Sequence, residues 1–465
     1  MGAKGFEMTE SEVAALCGGR VVAGRGVCRG VSIDSRTIME GELFVALKGQ
    51  KFDGHQFVLE AILKGASGAM ISEGMEGKVG TLGKGFLISV EDTLEGLQRL
   101  AAGWRKRFEI PVIGITGSVG KTTTKEMIAK VLSRKGPVLV NRGNLNNQIG
   151  LPLELLRLSG EHWAAVLEMG TNSPGEIAAL CRVASPTIGV LTSIGEAHTE
   201  GLGDIDGVMR EKGALLESLP PEGLAILFSD DLNVLRLSNR TKARVVTYGM
   251  GPDAMVRALK IEGIWGKGIR IHMEDGDVLE VPIWGEHNGY NALAAIALGR
   301  SLGMKREEIA EGLRMVSPVP MRMEVKEEGG IIVIDDSYNA NPVSMRAAIK
   351  ALGSTPARRR IAVLGDMLEL GGIGETAHLE LGSFVAESGI DLLVAVGEMS
   401  DLVVDGALRK GMRSVVAFRS LEDACRFLEK ELYPGDAVLV KGSRKIGMER
   451  IVGFLLEDLG RGGTT

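Results

Sequence analysis

Aromatic residues are scarce in this chain of 465 residues, and its basic residues do not outnumber its acidic ones. Phe, Trp and Tyr make up 4% of the sequence, too little for the stacking surfaces on which nucleic-acid bases lie. The 54 basic and 60 acidic side chains give a net charge of −6, whereas a nucleic-acid partner requires a patterned basic surface. We therefore expect no nucleic-acid partner.

Long apolar runs and paired cysteines are missing as well. The N-terminal stretch MGAKGFEMTESEV lacks the apolar core of a signal peptide, and no stretch approaches the ~20 apolar residues of a membrane span. The four cysteines, Cys17, Cys28, Cys181 and Cys425, are scattered without a CxxC pair, which is typical of reduced thiols. The sequence predicts a cytoplasmic protein without membrane insertion.

What is present is the composition of a globular protein, with 45% hydrophobic and 25% charged residues. At roughly 150 residues per domain, the length allows about three domains. Changes in the pattern of apolar runs along the sequence divide the chain into residues 1–108, 109–317 and 318–465. The two prolines of SPVPMRM (317–323) predict a linker at the second boundary.

Short apolar runs in each block predict an α/β fold. In the central block, a strand is followed by a helix whose apolar residues Met127, Ile128 and Val131 share one face. Strands that alternate with helices predict parallel sheets covered on both faces, doubly wound in the last block. The predicted strands are 42–47, 68–72, 85–90, 111–116, 164–169, 187–194, 331–337, 360–367, 391–398 and 436–443, and a helix is predicted over 92–108.

The segment VIGITGSVGKTTTKEM (112–127) joins a strand to a helix through a glycine-rich turn. Gly117 and Gly120 allow backbone N–H groups to point at phosphate oxygens. Lys121 can reach the β- and γ-phosphates, and the Thr122 hydroxyl can hold Mg²⁺. The pattern G-x-x-x-x-G-K-[ST] is incomplete because Ile115 occupies the position of its first glycine. The alternative to a phosphate-binding loop is a glycine turn that starts a helix and binds no phosphate.

Three further residues are candidates for the same site. A P-loop needs a carboxylate on a neighbouring strand, and Glu168 ends the strand AAVLEM. His198 follows another strand in the loop GEAHTEGLG and is either a ligand or an ordinary surface histidine. On its chemistry alone, Lys212 in VMREKGALLESL is interpreted as an exposed helical lysine.

These segments together resemble the Mur ligase family of peptidoglycan synthesis. GITGSVGKTTT is similar to its P-loop, which also lacks the first glycine, and GEHNGYNALAA (285–295) is similar to its His-Asn-x-x-Asn segment. VSIDSRTIMEGELFVALKGQKFDGHQF (31–57) resembles the UDP-binding domain of the members that add residue three, or residues four and five, of the stem peptide. NRGNLNNQIGLPLELL (141–156), VIDDSYNANP (333–342) and VLGDMLELG (363–371) resemble the member that adds D-alanyl-D-alanine.

The resemblance implies three domains: a small α/β UDP-sugar-binding domain, a central P-loop ATPase domain with a mostly parallel sheet, and a Rossmann-like ligase domain. It implies that ATP phosphorylates the terminal carboxylate of UDP-MurNAc-tripeptide, and we expect the protein to be a monomer. The amine of D-Ala-D-Ala then attacks the acyl phosphate, phosphate leaves, and UDP-MurNAc-pentapeptide forms. Both steps build negative charge, so cations must be placed in advance around the phosphoryl group.

The resemblance also implies a role for each site residue. The catalytic residues are Lys121, Lys212 and His198. Two Mg²⁺ ions are bound by Thr122, Glu168, His198 and Lys212, with Lys212 as a carbamate. ATP contacts are Gly117, Ser118, Val119, Gly120, Lys121, Thr122, Thr123, His287, Asn288, Asn291, Arg322 and Asp336. Contacts to the UDP-sugar and its peptide are Asp34, Ser35, Arg36, Asn146 and Asn147. Candidates for D-Ala-D-Ala are Tyr338, Asn339, Asn341, Lys441, Ser443 and Arg444. For each asparagine the alternative is an Asx-turn or a helix cap.

Three other functions have to be weighed. A P-loop NTPase that drives motion or signalling would need a switch and a water-positioning residue, but no extra substrate domains. A nucleotide-sugar-binding protein without activity would be free to lose Lys121, Glu168 and Lys212, which are intact. The sister ligase that adds the third residue lacks the NLNNQIG and DDSYNANP patterns found here. Whether that third residue is diaminopimelate or lysine stays open.

Overall fold

The computed structural model describes residues 5–49, 51–79 and 83–462. The two ends of the predicted domain ranges, residues 1–4 and 463–465, and Gln50 of the quoted N-terminal segment lie outside these residues. In the described part of the chain, no helix combines the length and the apolar character needed to cross a membrane.

The N-terminal domain is a small five-stranded sheet with a two-stranded ribbon beside it. Its strands and helices are β1 (Met8–Thr9), α1 (Glu10–Cys17), β2 (Arg20–Ala23), β3 (Val27–Cys28), β4 (Val31–Ser32), β5 (Leu43–Val45), α2 (Val58–Leu63), β6 (Gly68–Ser72), α3 (Glu76–Val79), β7 (Phe86–Val90) and α4 (Thr93–Arg105). The sheet order is β2-β7-β6-β5-β4, and β1 pairs with β3. All three predicted strands are present, and the predicted helix is α4, which begins at an Asp92 cap.

The central domain contains a nine-stranded sheet. Its elements are β8 (Val112–Thr116), α5 (Lys121–Leu132), β9 (Val138–Val140), α6 (Gly150–Leu155), β10 (Ala164–Glu168), α7 (Glu176–Ala184), β11 (Ile188–Leu191), α8 (Thr199–Leu202), α9 (Ile205–Glu217), β12 (Leu224–Phe228), α10 (Leu232–Arg236), β13 (Arg244–Gly249), β14 (Val256–Ile264), β15 (Gly268–Met273), β16 (Val278–Val281), α11 (His287–Ser301) and α12 (Arg306–Arg314). The order is β16-β15-β14-β13-β12-β11-β8-β10-β9. The predicted apolar face of α5, with Met127, Ile128 and Val131, is buried in the core.

One end of this sheet is antiparallel, which agrees with the mostly parallel arrangement expected for the central domain. Strands β9 to β14 are parallel, whereas β14, β15 and β16 pair antiparallel. Gly266 (φ +71°) and Gly276 (φ +87°) lie in the two short turns that join them. Antiparallel neighbours need only such tight turns, whereas parallel strands need a crossover.

The C-terminal domain is a six-stranded sheet with helices on both faces, as expected for a doubly wound fold. Its elements are β17 (Glu324–Glu328), β18 (Ile331–Asp336), α13 (Pro342–Gly353), β19 (Arg359–Gly365), α14 (Gly374–Ala386), β20 (Leu392–Val396), α15 (Ser400–Arg409), β21 (Val415–Phe418), α16 (Leu421–Glu431), β22 (Asp436–Lys441) and α17 (Glu449–Gly462). The order is β17-β18-β22-β19-β20-β21, with only β17 antiparallel. Strands β17 and β21 were not predicted, because short or charged strands lack a clear apolar pattern.

The linker at 317–323 brings the carboxyl ends of the two large sheets to face each other. It contains no regular secondary structure, and Met321 (φ +60°) and Met323 (φ +53°) turn the chain on either side of Arg322. Ligands bind in α/β proteins at the carboxyl ends of the strands. The candidate site therefore lies between these domains. The sheets fall within the three predicted ranges, whose boundaries remain predictions.

Candidate active site

The loop between β8 and α5 has a conformation that requires glycine at two positions. Gly117 has φ +154° and Gly120 has φ +86°. A Cβ on Gly117 would lie 2.0 Å from Thr192 Oγ1, and one on Gly120 would lie 2.4 Å from Asn291 Oδ1. Both residues thus provide backbone freedom and close packing that no other residue supplies.

Hydrogen bonds to the segment after β11 hold this loop in place. The N–H of Ser118 donates to the carbonyl of Ser193 at 2.9 Å, and the N–H of Val119 donates to the Ser193 hydroxyl at 2.9 Å. The Thr192 hydroxyl donates to the Val119 carbonyl at 2.6 Å. These bonds therefore fix the position of the α5 N-terminus, whose partial positive charge favours binding of an anion.

Lys121 is the first residue of α5 and lies partly buried beside the loop. Its Nζ donates to the Gly117 carbonyl at 2.8 Å, so the side chain folds back over the turn. Burial lowers the pKa of Lys121, the nearby charge of Arg322 lowers it further, and Glu168 opposes this shift. A cation held at this position, with so little solvent around it, attracts an incoming phosphate strongly.

Thr122 and Glu168 meet as expected of a P-loop metal anchor. The Thr122 hydroxyl donates to Glu168 Oε2 at 2.7 Å, and Asn146 Nδ2 donates to Glu168 Oε1 at 2.9 Å. Parallel pairing of β10 with β8 sets Glu168 beside Ile115. Among the described residues, no group of three His, Cys, Asp or Glu side chains could hold a metal. One hydroxyl and one carboxylate suit Mg²⁺, which takes its other ligands from phosphate and water.

Lys212 is not the exposed helical lysine that its chemistry alone predicted, because its side chain is 1% exposed. The adjacent carboxylate of Glu211 does not pair with it. Instead, Glu211 accepts hydrogen bonds from the Thr171 hydroxyl at 3.1 Å and from the N–H groups of Gly175 and Ile177 at 2.6 and 2.7 Å. Within the described residues, Lys212 Nζ has no hydrogen bond and no ion pair. Burial and the charge of Lys121 lower the pKa of Lys212 far below its usual value.

His198 lies at the same cavity and contacts the C-terminal domain. Its Nδ1 is 2.8 Å from Glu369 Oε2, and its backbone has a left-handed φ of +58°. Burial lowers the pKa of His198, and the charges of Lys121 and Lys212 lower it further. Glu369 opposes this shift. The neutral imidazole is the form that can act as a metal ligand or hydrogen-bond acceptor.

The predicted adenine-side residues form a hydrogen-bonded chain on α11. Asn288 Nδ2 donates to the Trp284 carbonyl at 2.8 Å, and Asn291 Nδ2 donates to Asn288 Oδ1 at 3.0 Å. The Thr124 hydroxyl of α5 donates to Asn291 Oδ1 at 3.1 Å. These amides thus tie α11 to the phosphate-loop helix, a positioning role that the resemblance did not imply. Burial lowers the pKa of His287, which lies beside them.

The C-terminal domain supplies the opposite wall. The Arg322 guanidinium lies 4.0 Å from the centre of the Tyr338 ring, a cation–π contact. Lys441 Nζ pairs with Asp336 Oδ2 at 2.7 Å and donates to the Asn339 carbonyl at 2.8 Å.

Two predicted asparagines have the structural roles that the alternative interpretation gave, one as a helix cap and one in an Asx-turn, and both still line the cavity. Asn341 caps α13 by accepting from Ser344 N at 2.8 Å, while its Nδ2 donates across the domain boundary to the Ser118 carbonyl at 3.3 Å. Asn147 Oδ1 accepts from Ile149 N at 3.1 Å and from Gly150 N at 2.8 Å, an Asx-turn just before α6. A structural role and a position at the site therefore coincide at both residues.

Most predicted residues come together around one cavity of about 570 Å³. Those that line it are Ser118, Val119, Gly120, Lys121, Thr122, Thr123, Asn146, Asn147, Glu168, His198, His287, Asn288, Asn291, Arg322, Asp336, Tyr338, Asn339, Asn341 and Lys441. Gly117, Lys212, Ser443 and Arg444 do not line it. The Ser443 hydroxyl accepts from Leu368 N at 2.8 Å and so supports a neighbouring loop.

The three predicted residues of the N-terminal domain lie elsewhere. Asp34, Ser35 and Arg36 do not line this cavity. Arg36, whose side chain is 82% exposed, pairs with Asp34 at 2.7 Å and lowers the pKa of Asp34 to about 2. The Ser35 carbonyl accepts from Lys64 Nζ at 3.1 Å. Arg36 and Asp34 thus form an ion pair apart from the cavity, beside the buried Ser35.

Several cavity residues were missed from the sequence. Phe228 and Tyr290 line the cavity with ring centres 5.0 Å apart, and Asn144, Thr192 and Ser193 line it beside the loop. Tyr290 and Asn144 lie inside motifs already quoted, so their position there was an available signal. Phe228 ends an ordinary apolar strand, and nothing in the sequence indicated that it lines the cavity.

Comparison with known proteins agrees with this geometry. Residues 27–105 match the domain described as Mur ligase family, catalytic domain, residues 115–299 the Mur ligase middle domain, and residues 321–444 the Mur ligase, glutamate ligase domain. The chain belongs to the Mur ligase family. The UDP-N-acetylmuramoyl-tripeptide–D-alanyl-D-alanine ligases of Synechocystis sp. and Bacillus subtilis are 39% and 36% identical to it. These alignments cover 92% of both chains for the first, and 93% of this chain and 94% of the relative for the second.

Solved Mur ligase structures share the whole fold. A crystal structure of MurF from Acinetobacter baumannii superposes with a TM-score of 0.88 at 32% identity, covering 98% of this chain and 99% of that one. MurF ligase from Thermotoga maritima in complex with ADP gives a TM-score of 0.83 at 28% identity, covering 93% and 98%. The three-domain Mur ligase architecture is thereby confirmed for this chain.

Replacing Gly120 with alanine tests the phosphate loop. We expect Gly120→Ala to weaken ATP binding about tenfold or more, because a new Cβ meets Asn291 and a positive φ strains any other residue by ~1–2 kcal/mol. Gly276→Ala is the matched control, because Gly276 has nearly the same φ of +87° with open space around it. Isothermal titration measures both affinities. Equal ATP affinity in the two variants would contradict this role of the loop.

Proposed function

We propose that this chain is an ATP-dependent amide ligase of peptidoglycan precursor synthesis. It joins D-alanyl-D-alanine to the terminal carboxylate of UDP-MurNAc-tripeptide, giving UDP-MurNAc-pentapeptide, ADP and phosphate. The observation that carries the proposal is the cavity shared by two domains, in which Asn341 of the C-terminal domain contacts Ser118 of the phosphate loop. The second wall adds Arg322 and Lys441, polar groups available to a substrate beside the phosphates. Relatives named for this reaction match over almost the whole chain.

The chemistry explains why ATP is required. A carboxylate at neutral pH is a poor electrophile, and transfer of the γ-phosphoryl group to one of its oxygens creates a leaving group. The dipeptide amine then forms the new C–N bond, the amine loses a proton, and the C–O bond to phosphate breaks. Lys121 and Arg322 are cations already fixed where this negative charge develops, which lowers the barrier without reorganisation.

The nucleotide would lie across both domains. We propose that the loop from Gly117 to Thr123 holds the phosphates, and that His287, Asn288 and Asn291 lie on the adenine side. Arg322 and Asp336 would contact the nucleotide from the C-terminal domain. The support is that all but Gly117 line one cavity.

We propose that Thr122, Glu168 and His198 hold Mg²⁺, and that a carbamate on Lys212 holds a second ion. The ions would offset the charge of the phosphates. Carbamate formation requires a neutral amine, whose lone pair adds to CO₂ with loss of one N–H proton. The low pKa and the missing ion pair of Lys212 supply such an amine. An anionic carbamate would also offset the nearby charge of Lys121.

The remaining substrate contacts follow the domain layout. We propose Asp34, Ser35 and Arg36 for the UDP end and Asn146 and Asn147 for the peptide. For the dipeptide we propose the C-terminal group Tyr338, Asn339, Asn341, Lys441, Ser443 and Arg444. In this group the Lys441 charge is already paired and the Ser443 hydroxyl is engaged. Arg444 lies with its guanidinium 5.8 Å from the Tyr338 ring centre and pairs with Glu449 at 3.2 Å on a half-exposed surface.

We further propose that the protein is a cytoplasmic monomer. The support for the compartment is that Cys17, Cys28, Cys181 and Cys425 are all buried free thiols. Burial raises the pKa of Cys17 to about 11 and that of Cys28 to about 12, so these thiols are structural and unreactive.

Dependence on the amine distinguishes a ligase from a hydrolase. With ATP, Mg²⁺ and UDP-MurNAc-tripeptide, we expect ADP release to be nearly silent until D-Ala-D-Ala is added, and to stop when EDTA removes the metal. L-Ala-L-Ala serves as the control amine. A coupled ADP assay measures the rate, and mass spectrometry identifies UDP-MurNAc-pentapeptide. Equal ADP release with and without dipeptide would show that the protein hydrolyses ATP instead.

Chemical rescue tests the carbamate. We expect Lys212→Ala to be nearly inactive and to regain part of its rate with added acetate or another short carboxylate, whose oxygens replace those of the carbamate. Lys212→Arg should not respond, because its guanidinium stays cationic and fills the space. Arg210→Ala, an exposed change on the same helix, is the control. A Lys212→Ala enzyme with the normal rate would overturn the carbamate proposal.

A further inference from the structure

Two strained loops from different domains meet at the edge of the cavity. His198 lies just before α8 in the central domain, and Glu369 follows β19 in the C-terminal domain. Their side chains are 2.8 Å apart, Nδ1 to Oε2, and both have left-handed backbones, with φ +58° and +63°. Two more bonds join the loops: Glu200 N donates to the Glu369 carbonyl at 3.1 Å, and the Thr199 hydroxyl to the Leu370 carbonyl at 2.9 Å.

The loop that carries Glu369 is held rigidly by its own domain. Met367 N donates to His378 Nε2 at 2.9 Å, and Leu368 N donates to the Ser443 hydroxyl at 2.8 Å. His378 is buried, and its other ring nitrogen is 2.6 Å from the Gly374 carbonyl. Non-glycine residues with positive φ persist only where the surroundings fix them. Glu369 is thus presented to the central domain in one orientation.

The contact determines which nitrogen of His198 faces the cavity as an acceptor. A carboxylate can only accept, so His198 Nδ1 carries a proton, and in the neutral ring Nε2 then keeps its lone pair. His198 itself lines the cavity, whereas Glu369 does not. Histidines that bind metals are commonly oriented by a carboxylate on the opposite ring nitrogen, and loss of that carboxylate typically weakens metal binding by about 10–100-fold.

We propose that Glu369 is a positioning residue that fixes the His198 tautomer, and that docking of the C-terminal domain thereby completes the metal side of the central domain. Because this partner comes from the other domain, His198 would be correctly oriented only when the two domains are docked. The role of His198 at a metal rests on the proposed function, but the tautomer of its ring is a property of the protein alone. Lys445 Nζ, 3.6 Å from Glu369 Oε1, is the other charged group at this carboxylate.

Two variants separate positioning from a merely structural contact. Glu369→Ala removes the acceptor, whereas the amide oxygen of Glu369→Gln can still accept from Nδ1. Both keep a Cβ, so the positive φ strains them equally. Glu387→Gln is the control, because that carboxylate pairs with Lys410 at 2.6 Å on an exposed surface of the same domain.

The first readout is the ¹⁵N spectrum of the histidine-labelled full chain without substrate, with His198 assigned by His198→Gln. We expect a protonated Nδ1 and a bare Nε2 in wild type, in Glu369→Gln and in the control. In Glu369→Ala we expect exchange between the two tautomers. The second readout is Mn²⁺ affinity with ADP present, followed by electron paramagnetic resonance, which should fall about tenfold or more in Glu369→Ala only.

An unchanged His198 tautomer in Glu369→Ala would overturn the proposal, as would a wild-type ring protonated at Nε2. A changed tautomer with unchanged Mn²⁺ affinity would overturn its link to the metal. Failure of the ligase reaction in wild type, with the expected spectra, would instead contradict the proposed function alone.

Discussion

Buried positive charge that lacks a matching carboxylate is the feature on which the rest of the site depends. Burial lowers the pKa of both Lys121 and Lys212, and the charge of Lys121 lowers that of Lys212 further. Glu168, the nearest carboxylate on the loop side, is already engaged by Thr122 and Asn146. Because burying an unpaired ammonium is costly, the site favours either the neutral amine of Lys212 or the binding of anions. Phosphates at Lys121 and a carbamate at Lys212 would satisfy it.

Domain docking is the second constraint. Among the described residues, the non-glycine residues with positive φ are His198, Met321, Met323 and Glu369, which all lie at the junction of the last two domains, and Ser185. Backbone strain of this kind concentrates at functional sites. The linker and the two facing loops therefore adopt one specific arrangement, in which Asn341 reaches the phosphate loop and Glu369 reaches His198.

The parts of the site that were predictable are those set by local sequence and strand topology. The turn between β8 and α5 follows from Gly117 and Gly120, and the meeting of Thr122 with Glu168 follows from placing two parallel strands side by side. Four of the six strands in the described part of the doubly wound domain, β18, β19, β20 and β22, were predictable from their apolar runs. The antiparallel strands β14 to β16 were not, because hairpins with partly exposed faces give a weak pattern.

The parts that were not predictable depend on contacts between distant residues. A lysine on an amphipathic helix is normally exposed. The residues adjacent to Lys212 in the sequence therefore did not indicate that its side chain is buried. His198 and Glu369 are 171 residues apart, and no periodicity connects them. Asp34, Ser35 and Arg36 match a family motif, yet their distance from the cavity follows only from how the first domain packs.

The central claim, that the phosphate loop serves to activate a carboxylate, is tested most directly by isotope transfer. UDP-MurNAc-tripeptide labelled with ¹⁸O in its terminal carboxylate is incubated with ATP, Mg²⁺ and D-Ala-D-Ala, and the released inorganic phosphate is analysed by mass spectrometry. The account predicts one ¹⁸O atom in each phosphate, because the carboxylate oxygen that receives the phosphoryl group leaves with it. Phosphate that carries oxygen from solvent water and no label from the peptide would contradict it.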